Sequence, residues 1–355
     1  RGFSDLLTFD DVDRILTTTS LRTPSFRMVK AGEQIPESAY TRSGRTGSTP
    51  VTGMADPARI AELFDDGATI VLQGLHRNWE PVAAFCRALE LQLGHACQVN
   101  AYITPPGTQG LALHADPHDV FVLQAFGRKH WEVHAAPGEP ERDPIRADVG
   151  PGDCIYMPTG TPHAATTGTE LSGHLTVGVH VATWRDVLAD VWSCLDQDAS
   201  LDETLPVGWT EDPSMFAEIL RSRLASLGSS LAEVDADAVT EKRVRRFLSS
   251  RAPSLRGILV QRRALDLIDD QSVLIRRPDA VCQVRRDGDR VVVLLGDRRL
   301  EMPGWLEPAM AFVSSSERLV VEDLAPALAD PSSRVVLARR LVREGLLLID
   351  IAVDD

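Results

Sequence analysis

Asn100-Ala-Tyr-Ile-Thr-Pro-Pro-Gly-Thr-Gln-Gly-Leu-Ala-Leu-His-Ala-Asp116 decides how this chain is read. A β-like run gives way to a Pro/Gly turn, and the stretch ends on His114-Ala-Asp116. Gly110–Leu113 reads as a strand, and residues two apart on a strand project to the same side. On that reading His114 and Asp116 reach one point from one local turn. A third candidate ligand, His163, stands 47 residues after Asp116. It closes Gly152-Asp-Cys-Ile-Tyr-Met-Pro-Thr-Gly-Thr-Pro-His163, a turn, a short buried strand and a Pro/Gly-rich turn. Two histidines and one carboxylate can hold Fe(II) on a single face and leave the opposite face open. An open metal points to reaction chemistry and away from a closed structural site.

Outward from this stretch, Gln98–Val181 is a series of short strands broken by Pro and Gly. Val99–Ile103, Gly110–Leu113, Val120–Gln124, Lys129–His134, Cys154–Met157 and Gly173–Val181 are the expected strands. Such a pattern predicts a β-sandwich or barrel, with a ligand site in its mouth. Upstream, residues 1–75 alternate short helical and extended signals. Asp56-Pro57 starts a helix, Ala68–Leu72 reads as a strand, and Trp79–Leu93 has apolar residues at helical spacing.

After Trp184 the chain turns helical. Val187, Leu188, Val191, Trp192 and Leu195 share one face, and Asp212-Pro213 is an N-cap followed by proline at the first helical position. The helix from Ser214 carries Phe216, Ile219, Leu220 and Leu224, and a third spans Ala238–Ser249. These stripes predict a packing or dimer surface. Further on, Ala280–Arg286 and Arg290–Leu295 flank Asp287-Gly288-Asp289 as a hairpin. Gly304–Val313, Val321–Leu328 and Ser332–Glu344 read as helices, and Leu346–Ile351 as a terminal strand. Helices followed by a small hairpin and strand resemble a winged helix.

Composition bounds the function. The 355 residues are 43% hydrophobic and 25% charged, as in globular proteins, and no apolar run approaches the ~20 residues of a membrane span. No signal-peptide pattern follows Arg1, and a start other than Met reads as a trimmed form. Five cysteines, none as Cys-x-x-Cys, argue against a disulfide framework and predict a cytoplasmic protein. The net charge of −14 is uneven: residues 241–355 hold 20 Lys/Arg against 18 Asp/Glu, leaving 17 against 33 in residues 1–240. The acidic excess therefore lies with the candidate metal ligands. Such a field repels nucleic acid and attracts basic partners, although it also serves solubility.

Lys129 stands 15 residues after His114 on an otherwise apolar strand. It could bind the far end of a dicarboxylate whose keto-acid end chelates iron. Asn100, Tyr102 and Thr176 flank the same core, and each could hydrogen-bond a carboxylate or be a satisfied core polar group. His118, His130, His134, His174 and His180 also fall in this region. A second metal is not expected, and His174 borders the pocket. Trp131 and Trp184 are expected as core anchors.

These residues resemble the ribosomal oxygenase branch of the JmjC-type Fe(II)/2-oxoglutarate oxygenases. The resemblance runs through Asn100–Asp116, Asp119–Gln124, Gly127–Trp131, Gly152–His163 and Ser172–Val177, and the order of the later segments matches as well. It implies a mixed α+β chain with a double-stranded β-helix (jelly-roll/cupin) catalytic domain over 1–184. A helical linker or dimerisation segment follows over 185–255, then a winged-helix-like domain over 256–355.

It further implies His114, Asp116 and His163 as catalytic iron ligands and Lys129 on the distal carboxylate of 2-oxoglutarate. Asn100, Tyr102 and Thr176 would line the co-substrate or substrate pocket. Some relatives have a serine two residues after this threonine, where this chain has Gly178. The implied reaction uses Fe(II), 2-oxoglutarate and O2 to hydroxylate an arginine- or histidine-type side chain of a ribosomal protein. A homodimer without DNA or membrane binding is expected. The alternatives are the same chemistry on a peptide natural-product precursor or small molecule, and a non-enzymatic cupin/winged-helix regulator.

Overall fold

The computed structural model describes residues 2–195, 199–251, 255–278 and 280–350. The chain divides into two units, residues 1–181 and 182–355.

The first unit begins with α1 (Phe9–Thr18), whose Thr8 N-cap and Asp11 form a reciprocal capping box. Then come β1 (Phe26–Lys30), β2 (Glu33–Gln34) and the hairpin β3 (Thr41–Thr46)–β4 (Thr49–Ala55). Helix α2 (Pro57–Asp65) starts where Asp56-Pro57 predicts, with the Asp56 side chain accepting from the Arg59 amide. After β5 (Thr69–Leu72), α3 (Glu80–Leu93) matches its expected span. The remaining strands are β6 (Ala96–Thr104), β7 (Asp119–Phe126), β8 (Lys129–Val133), β9 (Ile145–Val149), β10 (Cys154–Met157), β11 (His163–Thr166) and β12 (Ser172–His180).

Two sheets face each other. The larger runs β10-β7-β12-β6-β5-β1-β2 and the smaller β11-β8-β9, with every pairing antiparallel. Strand alternation divides the residues of the large sheet between two environments. Val99, Ala101, Ile103, Leu175 and Val177 join Ile15, Ile60 and Val82 of the three helices in the main core. The other face carries Tyr102, Thr104, His174 and Thr176 toward a cavity shared with Lys129, Trp131 and His163 of the small sheet. A smaller core of Val120, Val122, Trp131, Val149 and Met157 fills the space between the sheets.

Three features depart from the sequence reading here. Gly110–Leu113 is not a strand; this segment makes only single bridges at its ends, Gln109 to Thr166 and His114 to His163. Its four small and apolar residues suit an extended chain, but the backbone bond along their length, from Gly32 N to the Gly110 carbonyl at 3.0 Å, does not build a ladder. His163 opens a strand rather than ending a turn, and β9 was not expected. Ile145–Val149 alternates apolar and polar residues as a strand does, yet four of its five residues are exposed and its strand form rests on pairing with β8.

The second unit begins with α4 (Trp184–Leu195), α5 (Pro213–Ala232) and α6 (Ala236–Ser249). Asp212 caps α5 with Pro213 at its first turn, as read from sequence. Trp184 is not a core anchor: it is 80% exposed. Leu188, Trp192, Leu220 and Leu224 are also exposed, so the stripes are largely unburied within the chain. Asp190 of α4 instead fastens that helix to α6 by accepting from Arg243 (2.6 Å) and Arg246 (2.7 Å).

The rest comprises α7 (Ile258–Arg263), β13 (Val273–Arg276), β14 (Gln283–Asp287), β15 (Arg290–Leu294), β16 (Arg299–Pro303), α8 (Glu307–Ser315), β17 (Arg318–Val320), α9 (Pro331–Arg343) and β18 (Leu347–Ile349). β14 and β15 form the expected hairpin, with Gly288 at φ +57° in its turn, and β16 adds a third strand. Val321–Leu328 is not a full helix; it makes one 3-10 turn over Val321–Leu324. Ala325 still has helical backbone (φ −55°, ψ −37°), but Pro326 follows it and has no N–H to extend the hydrogen-bonded run. The Gly304 helix start is likewise a 3-10 turn, with α8 proper beginning at Glu307. Ile351, expected in the last strand, lies outside the described residues.

Candidate metal centre and co-substrate cavity

His114 and His163 are brought together by the backbone. Each donates its N–H to the other's carbonyl, at 3.1 Å and 2.8 Å, and their rings lie 4.4 Å apart. Asp116 is held close by its own carbonyl, which accepts from Gly160 N at 2.9 Å. Thus the turn before His163 grips the segment carrying the other two groups. One side-chain atom from each of His114, Asp116 and His163 falls within 4.8 Å of the other two. Among the described residues, no other group of three His, Cys, Asp or Glu does so.

The orientation of the rings tests whether this set fits a metal. His114 Nδ1 lies 2.8 Å from the Ala112 carbonyl, and His163 Nδ1 lies 2.9 Å from the Thr161 carbonyl. A carbonyl only accepts, so each Nδ1 carries the proton and each Nε2 keeps a lone pair. His163 Nε2 stands 3.8 Å from the Asp116 carboxylate. Burial, its leading cause, shifts the His163 pKa below the usual histidine value, favouring the neutral ring. Two imidazoles whose Nδ1 atoms are held by carbonyls, together with a carboxylate, are the donor set of an open 2-His-1-carboxylate iron site.

The cavity runs from this cluster to Lys129. Lys129 is 3% exposed and donates from Nζ to Thr104 Oγ1 at 2.9 Å, with His174 Nδ1 at 3.3 Å. No carboxylate pairs with it among the described residues, and burial drops its pKa to about 7. A buried ammonium without a counter-charge is costly. The cavity therefore offers an anion a cation at one end and a metal-ligand set at the other.

Tyr102 and Thr176 line this cavity, as does His174, whose ring stacks on Tyr102 at 5.1 Å and 7°. Burial first, then Lys129 and then His163, keep the His174 pKa far below its usual value. Asn100 is not in the lining; its Oδ1 accepts from Gly74 N at 2.9 Å. It is therefore used as a core polar group, the other of its two sequence readings. Trp131 is buried as expected, yet it also lines the cavity beside His163 and His174.

Thr104 and Thr69 were missed by the sequence reading. Their hydroxyls lie 3.1 Å apart and both residues line the cavity. The alternation Asn100, Tyr102, Thr104 on β6 is the signal that could have found Thr104. Elsewhere, His130 contacts Asp148, His134 contacts Glu132, and His118 meets the edge of His180.

Comparison with known proteins agrees with this architecture. The fold is a double-stranded β-helix of the JmjC/cupin type with mixed α+β content, and residues 74–187 match the JmjC domain family. A solved structure of the Escherichia coli ribosomal oxygenase YcfD, in complex with cobalt and 2-oxoglutarate, shares the fold. Its TM-score is 0.55 at 19% identity, over 97% of this chain and 91% of that one.

Human ribosomal oxygenase 1 is 29% identical over 260 residues, covering 63% of this chain and 40% of the relative. A Branchiostoma floridae protein described as bifunctional lysine-specific demethylase and histidyl-hydroxylase NO66 is 28% identical over 276 residues. That match covers 77% of this chain and 42% of the relative. The chain thus spans about two fifths of the length of these curated relatives. Residues 74–187 match the JmjC domain family, and the chain is similar to ribosomal oxygenases over part of their length.

Proposed function

We propose that this protein is an Fe(II)- and 2-oxoglutarate-dependent oxygenase that hydroxylates an arginine- or histidine-type side chain of a basic ribosomal protein. The observation that carries this reading is the pairing, in one cavity, of the His114–Asp116–His163 donor set with the buried, uncompensated Lys129. His114 and His163 would bind iron through Nε2, and Asp116 through its carboxylate. When bound, the metal supplies dioxygen activation coupled to conversion of 2-oxoglutarate into succinate and carbon dioxide.

The chain's own residues do the rest. Lys129 holds the distal carboxylate, with Thr104 fixing its ammonium. Tyr102 and Thr176 shape the cavity wall, while Val120, Val122, Trp131 and Ala165 exclude water from the reacting end. The Ala112 and Thr161 carbonyls hold the two imidazoles in the ligating tautomer. The acidic excess of residues 1–240 suits a basic substrate, which it would steer to the site.

Residues 1–184 would then form the catalytic domain, 185–255 a linker and dimerisation segment, and 256–355 a winged-helix-like domain. The exposed Trp184, Leu188, Trp192, Leu220 and Leu224 support a homodimer through the middle helices. None of the described helices is long and apolar enough to cross a membrane.

The test has two stages. Purified protein with Fe(II) and 2-oxoglutarate should release succinate, and ribosomal proteins should stimulate that release. Mass spectrometry should then find a one-oxygen gain on a ribosomal protein only in cells that carry the gene. Absence of succinate under all conditions would remove the oxygenase; succinate without any ribosomal product would move the target to a peptide precursor or small molecule.

A further inference from the structure

The second unit carries a groove that the reaction proposed above does not use. It lies between the β16 end, the turn Gly304–Leu306 and α9, and encloses about 590 Å³. Its apolar residues include buried Met302 and Leu337, but also Trp305 and Val336, which are 62% and 66% exposed. Exposed apolar surface of this kind, rimmed by charge, marks an interaction site.

The rim is basic. Val336, Arg339, Arg340 and Arg343 recur on α9 at intervals of three and four, which places them along one side of the helix. Arg343 has no ion-pair partner among the described residues. Arg339 donates from Nη2 to the carbonyls of Asp266 and Ile268, both at 3.1 Å, but its buried Nε has no partner. Arg340 is paired with Glu344. Glu301, the acidic residue of the lining, is already engaged by Arg290 and Arg299. The charge left over in the groove is therefore positive, in a chain of net −14.

We propose that this groove docks an acidic, apolar-faced peptide segment of a partner protein. Large side chains of the segment would cover Trp305 and Val336 while its carboxylates meet Arg339 and Arg343. Tryptophan and arginine together are the residues that dominate such interfaces, and a helix laid in a groove is a common way to engage them. Nucleic acid fits less well. Strand binding needs several stacking platforms along a strongly basic track, and here one tryptophan stands in an aliphatic floor. The inference is independent of the metal centre.

Fluorescence anisotropy on the full chain tests it. The probe is a labelled synthetic peptide of about twelve residues with Leu on one helical face and Glu on the other. Its Lys-for-Glu counterpart and a labelled oligouridine of equal length serve as comparisons. The Leu/Glu peptide should bind best, and Trp305→Ala and Arg343→Glu should each weaken it about tenfold, equivalent to ~1.4 kcal/mol. Both residues are exposed, so neither change should disturb folding, which circular dichroism checks. Equal binding of the Lys peptide, preference for oligouridine, no binding, or indifference to both substitutions would each overturn the proposal. So would concentration-dependent self-association abolished by Arg343→Glu, because a second copy would then occupy the groove.

Discussion

His114 and His163 are locked to each other by two reciprocal backbone hydrogen bonds, although 49 positions separate them in the chain. The pair is thus positioned by main chain, and its side chains are free to bind. His114→Ala and Asp116→Ala should therefore leave the fold intact and abolish turnover and metal binding. Succinate assay, metal titration and circular dichroism together check this. Full activity in either variant would sink the iron assignment.

Lys129 makes co-substrate binding pH-dependent. Burial pulls its pKa from 10.5 down to about 7, so the empty folded state sheds a proton that the unfolded state keeps. Between about pH 7 and 10.5 the unfolded chain binds more protons, and stability should rise with pH across that window. Co-substrate affinity should move the other way, weakening as pH rises above about 7, because the carboxylate needs the ammonium. Lys129→Met should flatten both trends. It should also weaken 2-oxoglutarate about ten- to hundredfold, the scale of a lost charged hydrogen bond. Calorimetric titration at several pH values measures the binding, and thermal unfolding measures the stability.

Gly178 makes room for His118. A Cβ at position 178 would lie 2.7 Å from His118 Cε1 and 3.0 Å from Nε2. Gly178→Ser should displace that ring and cost about 1–3 kcal/mol by overpacking. His118→Ala should recover most of that loss in the double variant. Thermal or denaturant unfolding of the four proteins in the cycle decides it; additive effects would show that the two side chains do not compete.

Asp190 ties α4 to α6 through Arg243 and Arg246. Its carboxyl lies below the usual range, first because it accepts from Arg243 and then because of Arg246, against the opposing effect of burial. A depressed carboxylate stabilises above its unfolded pKa and loses that contribution as pH falls through the folded value. Asp190→Asn should thus cost about 1.5–3 kcal/mol at neutral pH. The difference from the parent should shrink in acid, as denaturant unfolding at pH 7 and pH 3 would reveal.

The acidic first part of the chain predicts salt-sensitive engagement of a basic substrate. Substrate-stimulated succinate release should fall with added salt while substrate-free release changes little. A rate indifferent to salt would remove electrostatic steering from the account.

Features set by neighbours along the chain were legible before the structure. Asp56-Pro57 and Asp212-Pro213 do start helices, and Asp287-Gly288-Asp289 does turn a hairpin, because capping and turn geometry depend on a few consecutive residues. His114, Asp116, His163 and Lys129 were found by residue type and spacing. What the sequence by itself determined was the set of groups able to meet and the chemistry open to them. Only the tertiary structure decided how they meet. It replaced a strand at Gly110–Leu113 with a bridge to β11, because pairing depends on a partner distant in sequence. It turned Asn100 to Gly74, brought Thr104 to Lys129, and left Trp184 in solvent. Each outcome turns on which backbone or side chain lies opposite, a relation that no local pattern contains.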